Sequence, residues 1–244
     1  MRKKNYVITG ATSGIGKAIA QILDSDDNNL ILLGRSLNKL EIVAENLKAS
    51  TILIECDLTD SESVQSIATK MPEKIDGFIH AAGQDSLESI RKLTYHKFDK
   101  LMRLHVYSFV EILKIIEKTK TKHDSNWTSV VAISSVASDI GGIGQTIYSA
   151  SKSALEACIR VLSKELIRKK IRLNTVKPGL VNTPMLMSWA KQMEIANLEE
   201  LQLYGIAEAS DIANVVKFLL QSESMHIIGK EIKVDSGGLV NKYF

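Results

Sequence analysis

Short apolar runs alternate with helix-like segments along almost the whole chain. The runs are residues 5–9, 30–33, 51–56, 75–80, 129–134, 171–176 and 231–234. They are apolar on both faces, which is typical of strands in a parallel sheet that helices cover on its two sides. The pattern therefore predicts an α/β fold with a doubly wound sheet of seven mostly parallel strands and helices on both faces.

Two of the helix-like segments carry a wide apolar stripe. One stripe extends from Leu101 to Ile116 and the other from Ala150 to Leu166. Such a stripe predicts a helix that packs against the sheet or against a partner chain. Residues 184–207 have a weaker, helix-leaning pattern. They lie where a sheet of this kind would need a cover, so we expect them to fold over a substrate.

Length and composition favour one domain. The chain has 244 residues, only three prolines and no Ser-, Gly- or Pro-rich stretch that would mark a linker. Its apolar content of 45% and charged content of 24% are close to the averages for soluble globular proteins. We therefore expect a single domain over residues 1–244 with a substantial buried core.

The charge pattern and the N-terminus argue against two classes of partner. The formal net charge of +3 is small, and the basic clusters at residues 2–4 and 168–170 are short and lack interleaved aromatic side chains. Nucleic-acid binding is therefore not expected. The first apolar run is too short for a signal peptide, and no run approaches the ~20 residues of a membrane span. We expect no membrane association and a cytoplasmic location.

The cysteines and histidines give no sign of a metal site. Cys56 and Cys158 lie far apart without a C-x-x-C spacing, and we expect both to be buried small apolar side chains. The histidines show no H-E-x-x-H or similar ligand pattern. They are His80, His96, His105, His123 and His226. No metal and no disulfide are expected.

A glycine-rich turn joins the first predicted strand to the first predicted helix. Gly10 allows a tight bend, Gly14 lets the backbone approach a pyrophosphate, and Gly16 allows close contact between helix and sheet. The helix N-terminus also offers free N–H groups to phosphates. The alternative is a simple glycine-rich turn. The candidate phosphate-binding residues are Gly10, Thr12, Ser13, Gly14, Ile15 and Gly16.

The end of the second strand carries Gly34, Arg35 and Ser36 and no carboxylate. A dinucleotide site reads the adenosine ribose here, with an acidic residue for NAD and a basic one for NADP. Arg35 can make a forked, charge-assisted contact with a 2′-phosphate, and Ser36 can add a hydroxyl. The sequence thus favours NADP(H) and leaves NAD(H) possible. The alternative is that Arg35 is a solvated loop charge.

The next two strands end in further candidate residues. Asp57 and Leu58 follow the third strand, where a carboxylate could accept a hydrogen bond from an adenine amino group. Asp57 or Asp60 could instead cap the next helix. The fourth strand ends in His80, Ala81, Ala82 and Gly83. The small residues among them suit a backbone that passes close to a cofactor, and also a plain strand end.

Tyr148 and Lys152 are spaced i, i+4 on one predicted helix, so their side chains emerge on the same face. Tyrosine, with an unperturbed pKa near 10, donates a proton readily and abstracts one poorly. An ammonium ~4 Å from the phenolate contributes about 4 kcal/mol at an effective dielectric constant of about 20, a gross lowering of about three pKa units before desolvation. An exposed helix pair without function has the same spacing.

Together these motifs resemble the single-domain branch of the short-chain dehydrogenase/reductase family. The resemblance rests, in order, on residues 9–16, 80–83, 134–135, 148–152 and 178–183. It extends from about Lys4 to Gly238, where Asp235, Ser236, Gly237 and Gly238 resemble a C-terminal Asp-Gly-Gly of the family. It implies a Rossmann-type doubly wound sheet in one NAD(P)-binding domain.

The resemblance also implies roles for individual residues. Ser135 would hydrogen-bond the substrate oxygen, Tyr148 would be the general acid/base, and Lys152 would hold the nicotinamide ribose and lower the pKa of Tyr148. The residues that would face the nicotinamide are Pro178, Gly179, Val181 and Thr183. Those that would line the adenine are Asp57 and Leu58. The family usually forms dimers or tetramers through its long helices, so we expect a homo-tetramer first and a homo-dimer next.

One position departs from the family pattern. Relatives commonly carry an Asn after the fourth strand that anchors a proton-relay water, and the matching residue here is His105. An imidazole can bond a water and, with a pKa near 6.5, relay a proton itself. The alternative is a buried histidine with a structural role. His80, where many relatives carry Asn, could be coupled to this change.

The sequence therefore predicts an oxidoreductase that transfers a hydride between NADP(H) and a carbonyl/secondary alcohol pair. Sugars, steroids, acyl thioesters and small ketones stay open as substrates. An apolar lining is suggested by Met185, Leu186, Met187, Trp189 and Met193, which could equally be helix packing. One alternative function is a catalytically weak, nucleotide-binding regulatory or scaffold protein. Another is a nucleotide-sugar epimerase or dehydratase, although such relatives usually carry a longer C-terminal substrate domain.

Overall fold

A computed structural model describes residues 2–120 and 126–238. The strands are β1 (Lys4–Thr9), β2 (Asn28–Gly34), β3 (Ser50–Glu55), β4 (Gly77–His80), β5 (Thr128–Ile133), β6 (Ile171–Pro178), β7 (Val181–Asn182), β8 (Ala207–Glu208) and β9 (Glu231–Val234). Seven of them form one sheet in the order β3-β2-β1-β4-β5-β6-β9, and all its pairings are parallel. The predicted doubly wound α/β fold is confirmed.

Helices cover both faces of this sheet. The α-helices are α1 (Gly14–Ile22), α2 (Leu37–Ala44), α3 (Ser61–Ser66), α4 (Tyr95–Met102), α5 (Ser108–Lys118), α6 (Ala137–Ile140), α7 (Thr146–Leu166), α8 (Pro184–Gln192) and α9 (Ala209–Leu220). Within the described residues, no helix is both long enough and apolar enough to cross a membrane.

Two apolar cores, one on each face, hold the layers together. Successive side chains of a strand point to opposite faces. Accordingly Ile8 of β1 packs in a core with α1 and α9, whereas its neighbour Val7 packs with Phe109 of α5 and Leu155 of α7 in the other core. Buried apolar surface on both sides explains why the strands read as continuous apolar runs rather than alternating ones.

The long helix predicted around residues 101–116 is interrupted. A π-helical turn, Arg103–Tyr107, separates α4 from α5. Single π turns in helices often occur at functional sites, because the wider turn shifts the side chains that follow. This turn brings His105 into the protein interior, next to α7.

The strand order reverses between β1 and β4, so their connections leave the sheet in opposite directions. In open α/β sheets, ligands bind at such a point, outside the carboxyl ends of the strands. The glycine-rich turn after β1, the loop after β4 and the loop after β5 all open at this edge. The fold therefore positions the candidate site here.

Candidate active site

A cavity of about 310 Å³ opens at this edge of the sheet. The predicted site residues that line it are Gly10, Thr12, Ser13, Gly14, Ile15, Arg35, Leu58, Ala81, Ala82, Gly83, Ser135, Tyr148, Lys152, Pro178, Gly179, Val181 and Thr183. Four other predicted residues lie behind or beside the wall rather than on it. They are Gly16, Ser36, Asp57 and His105.

The glycine-rich turn is shaped by two close approaches. A side chain on Gly10, whose φ is +69°, would lie 2.8 Å from the backbone of Ala82. A side chain on Gly16 would overlap the carbonyl oxygen of Gly10. The missing side chain of Gly16 thus lets α1 start close to the end of β1. The missing side chain of Gly10 lets the turn pack directly against the loop after β4. The turn leaves a cradle at the start of α1 that suits a phosphate group.

Arg35 and Leu58, both predicted to contact the adenosine part of the cofactor, line the cavity. Arg35 is exposed and lines the cavity directly after β2. The Ser36 hydroxyl instead accepts a hydrogen bond from the Lys39 amide at 3.4 Å and caps α2. Of the two residues predicted at the 2′-phosphate, the structure places Arg35 alone on the cavity wall.

The two aspartates after β3 have local roles. Asp57 Oδ1 accepts hydrogen bonds from the Thr59 amide at 2.9 Å and the Thr59 hydroxyl at 2.8 Å. These bonds hold the pKa of Asp57 below its usual range. Asp60 caps α3 by accepting from the Ser63 amide at 3.0 Å. The carboxylate of Asp57 therefore closes its own turn, and Leu58 is the residue that lines the cavity.

Ser135, Tyr148 and Lys152 meet at the carboxyl end of β5. Ser135 follows this strand, and its Oγ accepts a hydrogen bond from the Ala137 amide at 3.1 Å. The side chain of Lys152, a residue of α7, donates to the Ile133 carbonyl at 2.9 Å. Its Nζ lies 5.8 Å from the centre of the Tyr148 ring. All three side chains can therefore face one substrate carbonyl.

The protonation of this group differs from the simple expectation. Burial raises the pKa of Tyr148 to about 12, although the Ser135 hydroxyl acts in the lowering direction. Burial also lowers the pKa of Lys152 to about 8, against the charge of Glu156. Burial is the largest cause of both shifts, and the Lys152 ammonium is itself hydrogen-bonded to the Ile133 carbonyl. Desolvation therefore prevails, and Tyr148 holds its proton at neutral pH.

His105 is fully buried, and protein groups engage both of its ring nitrogens. Nε2 accepts a hydrogen bond from the Gln84 amide at 3.2 Å, so Nδ1 carries the proton. Nδ1 then donates to the Ser151 hydroxyl at 2.8 Å, and Ser151 donates to the Tyr148 carbonyl at 2.8 Å. Burial and the charge of Lys152 hold the pKa of His105 well below its usual range. The ring connects the loop after β4 to the helix that carries Tyr148.

His80 forms a second buried imidazole contact below the cavity. Its Nδ1 lies 3.1 Å from the Thr9 hydroxyl, which accepts hydrogen bonds from the Ala81 and Ala82 amides. Burial, followed by the charge of Lys152, lowers the pKa of His80 to about 3. This neutral histidine fixes the two small residues against the glycine-rich turn. His123, another of the five histidines, lies outside the described residues.

A cluster of charged residues around the buried Lys177 supports the loop after β5. Lys177 of β6 lies 2.5 Å from Asp139, 3.1 Å from Glu156 and 3.3 Å from Glu231. These carboxylates are close enough together to share a cation, and the Lys177 ammonium takes that place. Glu156 also accepts hydrogen bonds from the hydroxyls of Ser134, at 2.5 Å, and Ser138, at 2.6 Å. The cluster thus holds both sides of Ser135.

Sequence reasoning missed this cluster and three polar residues of the cavity wall. The latter are Gln84, Asp85 and Gln145. The members of the Lys177 cluster come from four separate elements, so no spacing along the chain could reveal them. Gln84 and Asp85 directly follow the small residues after β4, and that position was the one available signal.

Comparison with known proteins places the chain in a family. The family model described as enoyl-(acyl carrier protein) reductase matches residues 10–238. The human 3-oxoacyl-[acyl-carrier-protein] reductase is 30% identical over 240 residues, which cover 96% of this chain and 97% of that protein. The 3-oxoacyl-[acyl-carrier-protein] reductase FabG of Rickettsia felis is 29% identical and is matched over 97% of each chain.

Solved structures give the same result. Levodione reductase superposes with a TM-score of 0.87 at 26% identity, covering 97% of this chain and 98% of that one. L-sorbose reductase from Gluconobacter frateurii, solved with NADPH and L-sorbose, has a TM-score of 0.88 at 24% identity and covers 97% and 96%. The fold and the site together are those of an oxidoreductase that uses a nicotinamide dinucleotide. The chain belongs to the short-chain dehydrogenase/reductase family, as predicted.

Proposed function

We propose that this protein reduces a ketone to a secondary alcohol with NADPH, using Tyr148 as the proton donor. The observation that carries the proposal is the convergence of Ser135, Tyr148 and Lys152 on one cavity that also contains the glycine-rich turn. A phenol with a pKa of about 12 keeps its proton at neutral pH. Such a group can donate to a developing alkoxide, so the reductive direction suits the site.

The cofactor assignment rests on the phosphate-binding end of the cavity. Gly10 and Gly14 leave room for a pyrophosphate at the start of α1, and Arg35 offers a cation where a 2′-phosphate would lie. NADPH supplies the hydride when it is bound. NADPH-containing relatives of the same fold support this preference over NADH.

Ser135, Tyr148 and Lys152 have different tasks during reduction. The Ser135 hydroxyl hydrogen-bonds the substrate oxygen and polarises the carbonyl. As the hydride reaches the carbonyl carbon, Tyr148 transfers its phenolic proton to the oxygen, which leaves an alcohol and a phenolate. The Lys152 ammonium, with a pKa near 8, stabilises that phenolate and can hold the nicotinamide ribose hydroxyls. Tyr148 then regains its proton from solvent.

The segment 184–207 is proposed to cover the substrate. Pro184, Met185, Leu186 and Trp189 line the cavity, which makes one wall apolar. Met187 and Met193 of the same region are partly exposed and do not line it. The apolar wall favours a substrate whose body is a hydrocarbon chain or ring face.

The oligomeric state and the location stay predictions. A homo-tetramer, or else a homo-dimer, is supported by two exposed side chains at the long helices. Tyr107, just before α5, is 48% exposed, and Val161 of α7 is 55% exposed. Light scattering on the purified protein decides between these states. The cytoplasmic location predicted from the sequence also stays a prediction.

The activity test is oxidation of NADPH and NADH by the purified protein with a panel of ketones, aldehydes and acyl thioesters. We expect NADPH to be consumed with one class of ketone, and that class identifies the substrate. Consumption with NADH alone would contradict the role of Arg35. NADPH binding without any turnover would contradict the reductase proposal.

A second candidate function is nucleotide binding with weak turnover. It is favoured by His105, because both of its ring nitrogens are engaged by protein groups and neither is free to hold a relay water. To test it, the rate of a single turnover is compared with the steady-state rate. If the first turnover is fast and the later ones are slow, and His105→Asn accelerates only the later ones, proton resupply limits the enzyme. Equal rates in both regimes exclude this limitation.

A further inference from the structure

Asp85 is a charged residue on the cavity wall that the mechanism does not use. It lies two positions beyond Gly83 in the loop after β4 and lines the cavity together with Gln84, Gln145 and Tyr148. Its Oδ2 atom is buried and, within the described part of the chain, has no hydrogen-bond partner. A hydrogen-bond acceptor without a donor therefore lies in the cavity that Tyr148 also lines.

An unsatisfied buried acceptor is unusual, because it loses its hydration without gaining a hydrogen bond in return. The described chain has few such side-chain atoms, and of the residues concerned only Asp85 lines the cavity. The others are His80, Ser149 and Thr175. In native proteins such a group often has a functional reason, and a ligand can supply the missing donor.

The position of Asp85 relative to Tyr148 defines what it can contact. A side chain on Gly83 would lie 3.5 Å from Lys152 Nζ, and the Glu88 amide donates to the Gly144 carbonyl at 2.8 Å, so the loop that carries Asp85 runs from Lys152 to the start of α7, where Tyr148 lies. A substrate carbonyl held by Tyr148 and Ser135 would thus bring its neighbouring carbon atoms towards Asp85. The carboxylate of Asp85 can therefore accept a hydrogen bond from a substrate group close to the carbonyl, but not from a group at the far end of a long substrate.

A hydroxyl fits this acceptor better than an ammonium. An ammonium has three donors and needs as many acceptors, whereas a hydroxyl donates one hydrogen bond. The cavity wall also carries Met185, Leu186 and Trp189, which offer an ammonium no acceptor. The one unpartnered oxygen of Asp85 and this apolar wall together suit a neutral group with a single donor.

We propose that Asp85 is a specificity-determining residue that selects ketones carrying a hydroxyl on the carbon next to the carbonyl. Its carboxylate accepts the hydrogen bond of that hydroxyl while Ser135 and Tyr148 hold the carbonyl oxygen. The substrate class is thus a hydroxyketone with an otherwise apolar body. This assignment rests on the proposed ketone reduction and adds to it a residue and a substrate class.

The test uses two ketones of matched shape, 1-hydroxy-2-butanone and 3-pentanone, which differ by a hydroxyl in place of a methyl group. Their kcat/KM values with NADPH are measured for the wild type, Asp85→Leu and Asp26→Asn. A site built around a substrate hydroxyl rejects the analogue that lacks it. We expect the wild type to prefer the hydroxyketone by on the order of 10- to 100-fold, corresponding to about 1–3 kcal/mol.

The variants separate the role of Asp85 from general damage. Asp85→Leu is expected to lose this preference, because leucine fills a similar volume without an acceptor, and the readout is the ratio of the two kcat/KM values, which a uniform loss of activity leaves unchanged. Asp26 is an exposed loop residue, so Asp26→Asn is expected to keep the wild-type preference. If Asp85→Leu fails to bind NADPH, Asp85→Asn replaces it, with an expected fall in preference of about fivefold, since a neutral acceptor is weaker than a charged one.

Two failures can be told apart. If the wild type reduces both ketones equally well, or if Asp85→Leu keeps the preference for the hydroxyketone, the role of Asp85 is refuted and the reductase proposal stands. If the wild type binds NADPH and reduces neither these ketones nor any of the wider panel, the proposed function is refuted, and the substrate assignment falls with it.

Discussion

Arg35 is the side chain that we propose distinguishes NADPH from NADH. It is exposed at the cavity edge, and the neighbouring Ser36 is occupied as the cap of α2. In the proposed cofactor site, a single guanidinium would therefore recognise the 2′-phosphate. A hydrogen bond to a charged group contributes about 1.5–3 kcal/mol.

We expect Arg35→Ala to weaken NADPH binding by on the order of 10- to 100-fold and to leave NADH binding nearly unchanged, because only NADPH carries the 2′-phosphate. Fluorescence titration of both nucleotides measures the two dissociation constants. Lys39→Ala is the matched control, since Lys39 is an exposed cation of α2 that does not line the cavity. Equal losses for NADPH and NADH would show that Arg35 does not recognise the phosphate.

His80 makes folding stability depend on pH. Its pKa is about 3 in the folded protein, whereas an unfolded histidine takes up a proton near pH 6.5. The folded pKa is lowered, so the stabilisation is fully present above pH 6.5 and is lost as the pH falls towards 3. Between pH 7 and pH 5 the free energy of unfolding should fall by about 2 kcal/mol because of this residue.

Urea unfolding at pH 7 and pH 5 tests this expectation. His80→Asn should lose less stability than the wild type between the two values, by about 2 kcal/mol, because asparagine does not titrate. His226 is exposed, and His226→Asn should behave like the wild type. The same pH dependence in wild type and His80→Asn would mean that His80 is protonated in the folded state.

Strand β6 shows what an apolar pattern can and cannot predict. The run of residues 171–176 predicted a strand that ends before Lys177, because a lysine normally marks solvent. The strand continues to Pro178, since carboxylates from α6, α7 and β9 surround the ammonium. The apolar core of the strand was readable from the sequence. Its polar end was not, because the partners lie on elements distant along the chain.

The interrupted helix illustrates a second limit. A stripe from Leu101 to Ile116 fits an α-helix, and one π turn, Arg103–Tyr107, barely changes the apolar periodicity. The motif residues Tyr148 and Lys152 were recognisable because their spacing is fixed within a single helix. The hydrogen bonds of His105 were not, because they depend on the turn and on Ser151 in another helix.

We expect Lys177→Met to destabilise the protein by about 3 kcal/mol, because it leaves the buried carboxylate of Glu156 without its cation. Adding Glu156→Gln should restore part of this loss. Arg160→Ala removes a largely exposed ion pair with Glu231 and should cost less than about 1 kcal/mol. Chemical denaturation measures all three. If Lys177→Met cost no more than Arg160→Ala, the cluster would be no more than a surface network.

At the scale of the whole molecule, the parallel sheet brings separate motifs to one edge. The turn after β1, the small residues after β4, Ser135 after β5 and Pro178 at the end of β6 are far apart in sequence and share one cavity. Their common location follows from parallel strands, whose carboxyl ends all point the same way. This part of the site was predictable once the fold class was known, while the position of Asp85 on the wall depended on loop geometry.

The most direct test of the central claim follows the hydride itself. NADPH carrying deuterium at the transferred position is incubated with the active ketone of the panel, and the alcohol is analysed by mass spectrometry, with Tyr148→Phe alongside. We predict that the wild type places deuterium on the alcohol carbon, and that Tyr148→Phe binds NADPH with similar affinity and forms almost no alcohol. NADPH oxidation without labelled alcohol, or undiminished turnover by Tyr148→Phe, would contradict the account.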